Sequence, residues 1–169
     1  MPNFLVAHGY DPGPTQRPLL AGAVTGVLAT VPAIALLQLF GSLEVEARIL
    51  GIAELTTVAV GWPIMAAAGA AYARLFGRAA NNPRGGWLFG MAFGFALWAA
   101  GAVLVLPLVG AGQAPAGEPA LGVFLSLVLW GAVLGTALPF IHRRLRKPLG
   151  SVARHARSGP SGQLPETKR

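Results

Sequence analysis

The sequence contains no cysteine and few charged residues. Its 169 residues include 13 Lys and Arg and 6 Asp and Glu, so 11% are charged, against about 25% in a typical soluble domain. Without cysteine, the chain cannot form a disulfide framework, a thiolate metal site or a redox dithiol. Because 54% of the residues are hydrophobic, a soluble globular domain and a disordered chain are also excluded.

Long apolar runs fill most of the chain. A helix needs about 20 predominantly apolar residues to cross a hydrocarbon layer of roughly 30 Å. Four segments meet this length, at about 19–41, 52–76, 86–108 and 120–141. Each is apolar around its whole circumference, and none alternates as a barrel strand would. We therefore predict an all-α integral membrane protein, a four-transmembrane-helix bundle made of two hairpins.

The basic residues are distributed unequally between the predicted loops. All except Arg48 lie in the N-terminal arm, from the last turn of the second span (Arg74) to the start of the third, or after the fourth. Because cytoplasmic loops carry the excess of Lys and Arg, both termini are predicted to be cytoplasmic. The preference for Arg over Lys suggests a GC-rich bacterial genome and hence the inner membrane. The predicted domains are an arm (1–18), a transmembrane domain (19–147) and a polar basic tail (148–169).

Three pairs of glycines are spaced four residues apart within the predicted spans. They are Gly22 and Gly26, Gly90 and Gly94, and Gly131 and Gly135. Small residues at this spacing let helix backbones approach closely, which predicts helix packing at these positions, either within the bundle or against another subunit. The first and third spans both open with such a pair, which is compatible with duplication of a hairpin.

Ionisable residues are scarce near the spans. Glu54, in the first turn of the second span, is the candidate for an interfacial functional acid, although a structural role at the helix N-terminus is favoured. Glu44 and Arg48 are four residues apart, which predicts a short surface helix over 42–51 with an ion pair. Pro32 and Pro63 predict helix kinks rather than a broken-helix binding site.

A basic cluster follows the fourth span. It contains Arg143, Arg144, Arg146 and Lys147, directly after His142. Such a cluster attracts anionic lipid headgroups or docks to a soluble or peripheral partner, while nucleic-acid binding is not expected because no recognition fold accompanies the charge. All three histidines lie in tails or at the interface, so we predict no metal site and no cofactor.

Residues 85–90, 93–98, 106–110 and 130–135 read GGWLFG, FGFALW, LPLVG and WGAVLG. This Gly, Trp and Pro pattern resembles uncharacterised four-helix bacterial inner-membrane proteins, known as domains of unknown function. The resemblance covers about half of the chain, mainly the third and fourth spans. It implies a four-helix bundle and no particular activity.

The predicted function is that of a non-catalytic accessory subunit of a larger integral-membrane complex, with a photosynthetic or respiratory complex as the candidates. It would contribute helix packing, clamping by its tails and contact with anionic lipids, its partners being other membrane subunits. The alternative is a small transporter or channel, which would need the scattered polar side chains to converge: Thr25, Thr30, Gln38, Thr56, Thr57, Tyr72, Ser126 and Thr136. No nucleophile–base pair or carboxylate pair can be placed at membrane depth, so no catalytic residue is predicted.

Overall fold

The computed structural model describes residues 18–76 and 85–145. Its elements are α1 (Pro18–Leu39), α2 (Ser42–Leu50), α3 (Glu54–Leu75), α4 (Gly86–Val109) and α5 (Glu118–Leu145). Within this part of the chain 88% of the structure is helical and no strand occurs, so the predicted all-α class is confirmed. The four long helices are each long and apolar enough to span a membrane. Residues 1–17 of the predicted arm and the predicted tail, together with Arg146 and Lys147, lie outside the described residues.

The short helix α2 lies between two glycine turns. Gly41 and Gly51 have φ angles of 63° and 68°, a left-handed conformation that glycine adopts without the cost imposed by a Cβ. These turns set α2 apart from α1 and α3. The predicted ion pair is confirmed, with Arg48 Nη2 2.6 Å from Glu44 Oε1 on the exposed face of α2.

The long helices pack in the order α3, α1, α5, α4. Extensive contacts join α1 to α3, α1 to α5, and α4 to α5, whereas α3 and α4 are not packed backbone to backbone. A buried hydrogen bond joins the two hairpins, because the indole Nε1 of Trp130 in α5 donates to the carbonyl of Gly26 in α1 at 2.9 Å. The edge helices α3 and α4 therefore border a seam that the backbone does not close.

The six glycines singled out above lie at the helix crossings. In the first hairpin, Gly22 and Gly26 face Gly69, and a Cβ on either would overlap backbone atoms of α3. In the second hairpin the four remaining glycines lie between α4 and α5, where a Cβ on Gly131 would overlap the carbonyl of Gly90. Both crossings are therefore closer than any side chain larger than hydrogen allows.

The third long helix changes its winding midway. Residues Ala99–Val105 form a π-helical segment between α-helical turns at Gly86–Trp98 and Leu106–Val109. The sequence predicted a helix over this stretch but not its π-helical turns. Because π-turns are rare and often occur at functional sites, this segment directs attention to the space that it borders.

Candidate ligand cavity

A cavity of about 460 Å³ lies between the four long helices, at the end of the molecule covered by α2. We call this the α2 end, and we call the opposite end, where α3 finishes and α4 begins, the Tyr72 end. All five helices contribute residues to the cavity wall. Its volume lies within the range of about 300–1,000 Å³ that is typical of small-molecule sites.

The cavity wall is almost entirely apolar. Most of its larger side chains are aliphatic, among them Ile34, Leu37, Leu97 and Leu106, and the ring of Trp130 also lines it. Such a wall offers burial from lipid or water but no hydrogen bonds, so it suits a hydrocarbon guest.

Three hydroxyl side chains line the same cavity, and each is already bonded within its own helix. Thr30 donates to Gly26 O at 2.8 Å, Thr57 donates to Ala53 O at 3.3 Å, and Ser126 donates to Val123 O at 2.9 Å. Their protons are therefore used by backbone carbonyls, and these hydroxyls have no proton left to donate to a bound molecule.

Glu46 is the one charged side chain among the described residues that line the cavity. It is half-buried on the inner face of α2, while Glu44 and Arg48 on the outer face are exposed. Removal of water by burial raises the pKa of Glu46 from 4.5 to about 7. Within the described residues no hydrogen bond or ion pair reaches its carboxylate, because Arg48 is paired with Glu44.

The seam between α3 and α4 is closed at the Tyr72 end. The hydroxyl of Tyr72 donates to Gly86 O at 3.0 Å. The ring of Tyr72 lies 5.3 Å from that of Phe76 and 5.4 Å from that of Phe93, and Phe89 extends the cluster. Four aromatic rings thus bridge two helices whose backbones stay apart.

The same seam is lined by small residues at the α2 end. Gly61 of α3 and Ala100, Gly101 and Ala102 of the π-helical segment border the cavity there. A Cβ built on Gly61 or Gly101 would meet no atom within 4 Å. Larger aliphatic side chains of α3 and α4 line the cavity as well, among them Val58 and Val105. Because these two helices are not packed backbone to backbone, the cavity lies against the open seam between them.

The residues predicted from sequence lie away from this cavity. Glu54 is exposed at the first position of α3, where its carboxylate faces outward. Arg143 and Arg144 are exposed in the last turn of α5, at the Tyr72 end. The six glycines stabilise helix crossings and do not line the cavity. Among the described residues, no group of three or more His, Cys, Asp or Glu is arranged to hold a metal ion.

Sequence reasoning missed Glu46, although a signal was present. Leu43, Glu46 and Leu50 are spaced i, i+3 and i+7, which places them on one face of α2. All three line the cavity. The ion pair on the opposite face identified α2 as a surface helix, but it gave no reason to ask what the apolar face covers.

No family model, curated protein or solved structure matches this chain. The resemblance of the third and fourth spans to uncharacterised four-helix proteins stays a prediction. Inference about function therefore rests on the cavity and on the surfaces around it.

Proposed function

We propose that this protein is a non-catalytic, multi-pass protein of the bacterial inner membrane that holds an apolar, membrane-dissolved molecule. The supporting observation is a preformed, hydrocarbon-lined cavity of about 460 Å³ that is open between α3 and α4. A molecule dissolved in the bilayer enters such a site sideways, without passing through water. When the molecule binds, its apolar surface packs against fixed protein side chains instead of mobile lipid chains, and it gains contacts of fixed geometry.

In the proposed topology both termini are cytoplasmic, and the α2 end faces the outside of the cell. Arg74, Arg143 and Arg144 lie in the last turns of α3 and α5, while Glu54 and Glu118 begin these two helices at the α2 end. This distribution supports the orientation because basic residues accumulate on the cytoplasmic side. The cavity then lies in the outer half of the membrane.

Because the sequence contains no cysteine, this topology can be tested with single introduced cysteines. Gln113→Cys, in the exposed loop at the α2 end, should react with a membrane-impermeant maleimide in intact cells. Leu75→Cys, exposed at the Tyr72 end, should react only after the membrane is permeabilised. The reverse pattern would overturn the orientation.

Binding within the cavity is tested by filling it. Gly61→Leu adds a side chain where no atom lies within 4 Å, so it occupies the cavity mouth without displacing backbone. Native mass spectrometry of wild type released from lipid nanodiscs should detect a bound apolar molecule, with occupancy several-fold lower for Gly61→Leu. Ala96→Leu, on an exposed position of α4 that does not line the cavity, should retain it. Absence of bound molecules in wild type would contradict the proposal.

We also propose that the protein acts as an accessory subunit of a larger membrane complex, photosynthetic or respiratory. The observation in favour is the exposure of α4. Only 6% of its most apolar 18-residue stretch is buried, against 44% for that of α5. Its exposed side chains include Trp87, Leu88 and Phe95, which suit a lipid boundary or a neighbouring subunit. The basic residues at the end of α5 would then contact anionic lipids or partners.

Purification in a gentle detergent followed by native-gel mass spectrometry tests this role. Stoichiometric co-migration with a large complex is the expected result. A free monomer or a homo-oligomer would overturn the accessory role while leaving the proposed binding of an apolar molecule intact.

The described polar side chains favour an apolar guest over an aqueous pore. The hydroxyls of Thr25, Thr30 and Ser126 each donate to a carbonyl of their own helix. Tyr72 is bonded to Gly86 at the closed end of the seam. Three others, Gln38, Thr56 and Thr136, lie on exposed positions. Thr30, Thr57 and Ser126 line the same cavity, but each donates its hydroxyl proton to a backbone carbonyl. A transporter or channel for polar solutes would need such groups free to contact the solute along a common path.

A further inference from the structure

Glu46 places a single acid against an otherwise apolar cavity. Its neighbours on the same face of α2, Leu43 and Leu50, are aliphatic and line the cavity with it. A helix that only covered hydrocarbon would be served as well by a third aliphatic residue. The carboxylate is therefore the feature of the cavity that apolar packing does not explain.

No charged side chain in the described part of the chain pairs with Glu46. On α2 itself, Glu44 and Arg48 pair with each other on the exposed face. Glu54 at the start of α3 and Glu118 at the start of α5 are exposed acids. Among the residues described, α1 and α4 contribute no charged side chain to the cavity wall.

An unpaired carboxylate in an apolar environment is unfavourable when ionised. It either keeps a proton, which agrees with the raised pKa of about 7, or it attracts a cation. A cation that itself carries apolar groups satisfies both the carboxylate and the hydrocarbon wall.

We propose that the molecule held in this cavity is an amphipathic cation, with a long apolar body between α1, α4 and α5 and an amine or quaternary ammonium group against Glu46. The proposal rests on the proposed binding function and specifies its ligand class. Because Glu46 lies at the α2 end, the head group stays near the membrane surface while the body extends along the helices. The ion pair is partly removed from water and so is stronger than an exposed pair.

The same wall disfavours other amphiphiles. No Lys or Arg lines the cavity within the described residues, so a phosphate or carboxylate head would face Glu46 without a compensating charge. A neutral alcohol fits the volume and can donate a hydrogen bond to Glu46, but it brings no positive charge to compensate the ionised carboxylate. Selectivity for a positive head therefore depends on one side chain.

Photolabelling with paired probes tests the proposal. The full chain is placed in nanodiscs of zwitterionic lipid with one of two alkyl probes, each carrying a diazirine on an identical chain and ending in either trimethylammonium or hydroxyl. Labelled peptides are quantified by mass spectrometry. Both probes should label the cavity wall around 97–106 and 123–130, with the ammonium probe about tenfold more efficient at equal membrane concentration.

Variants on the two faces of α2 separate charge from fold. Glu46→Gln, nearly identical in shape, should reduce ammonium labelling about tenfold, to the level of the neutral probe, whose own labelling stays unchanged. Glu44→Gln, on the exposed face, should keep the tenfold preference. The unchanged neutral probe shows in the same sample that the cavity remains formed.

The outcomes distinguish this proposal from the binding function beneath it. Equal labelling of the cavity by both probes in wild type, unaffected by Glu46→Gln, overturns the cationic ligand and leaves an apolar binding site. Labelling by neither probe within the cavity overturns both. A tenfold preference that survives Glu46→Gln assigns cation recognition to another group and overturns the role of Glu46.

Discussion

The two ends of the seam between α3 and α4 differ in how the same pair of helices is joined. At the Tyr72 end, the rings of Tyr72, Phe76, Phe89 and Phe93 fill the gap. At the α2 end, the lining residues of α3 and α4 are glycine, alanine and aliphatic side chains without an aromatic ring, and the gap remains a cavity. The backbones are not in extensive contact at either end. Side-chain volume, rather than helix position, therefore decides where this protein is solid and where it has space for a guest.

The largest expected effect comes from adding a side chain where two helix backbones are in close contact. Gly131→Val places a branched side chain against the carbonyl of Gly90, which α4 and α5 cannot accommodate without separating. We expect a loss of about 3 kcal/mol or more in the free energy of unfolding. Thermal unfolding in detergent, followed by circular dichroism, measures it.

The matched control adds volume where the molecule has space. Gly101→Ala, in the π-helical segment, meets no atom within 4 Å. It should leave the melting temperature unchanged or raise it, since alanine in a helix is favoured over glycine by about 0.5–1 kcal/mol. If the two variants melted alike, the contrast between the close crossing of α4 with α5 and the free space beside Gly101 would be lost.

A second prediction removes an aromatic side chain from the Tyr72 end, so that this end becomes more like the α2 end. Phe93→Ala removes the ring that contacts Tyr72, Phe76 and Trp130. We expect a cost of about 2–3 kcal/mol in the free energy of unfolding, toward the low end for truncation of a large core residue, because Phe93 is only partly buried. Phe140→Ala, at a position 61% exposed, should cost much less. Equal losses would show that the aromatic cluster does not hold the seam together.

The sequence predicted the parts of the fold that depend on local pattern. The four candidate spans follow from apolar length, and α2 with its ion pair follows from the spacing of Glu44 and Arg48. The cavity depends instead on which helices meet, through contacts such as that between Trp130 and Gly26, which are 104 residues apart in sequence. A single sequence contains no signal for a pairing of this kind, and the position of Glu46 beside a cavity was hidden for the same reason.

The smallest expected effect concerns the charge of Glu46 at the α2 end. The pKa of Glu46 in the folded protein is raised from 4.5 to about 7, so between these values the folded state binds more protons than the unfolded state. The contribution of Glu46 to the free energy of unfolding is therefore largest below about pH 4.5 and falls as the pH rises toward 7. For a half-buried carboxyl we expect a total loss of about 1–2 kcal/mol, reduced from the full value of the shift by solvent screening.

Melting temperatures of the purified protein between pH 5 and pH 8 measure this dependence. Glu46→Gln should flatten the decline, whereas Glu44→Gln should preserve it, because Glu44 is exposed and paired with Arg48. An amphipathic ammonium compound should also flatten it in wild type, since a bound cation stabilises the ionised carboxylate and lowers its pKa. A decline that persists in Glu46→Gln would place the titrating group elsewhere and remove the assignment of the pH dependence to the α2 end.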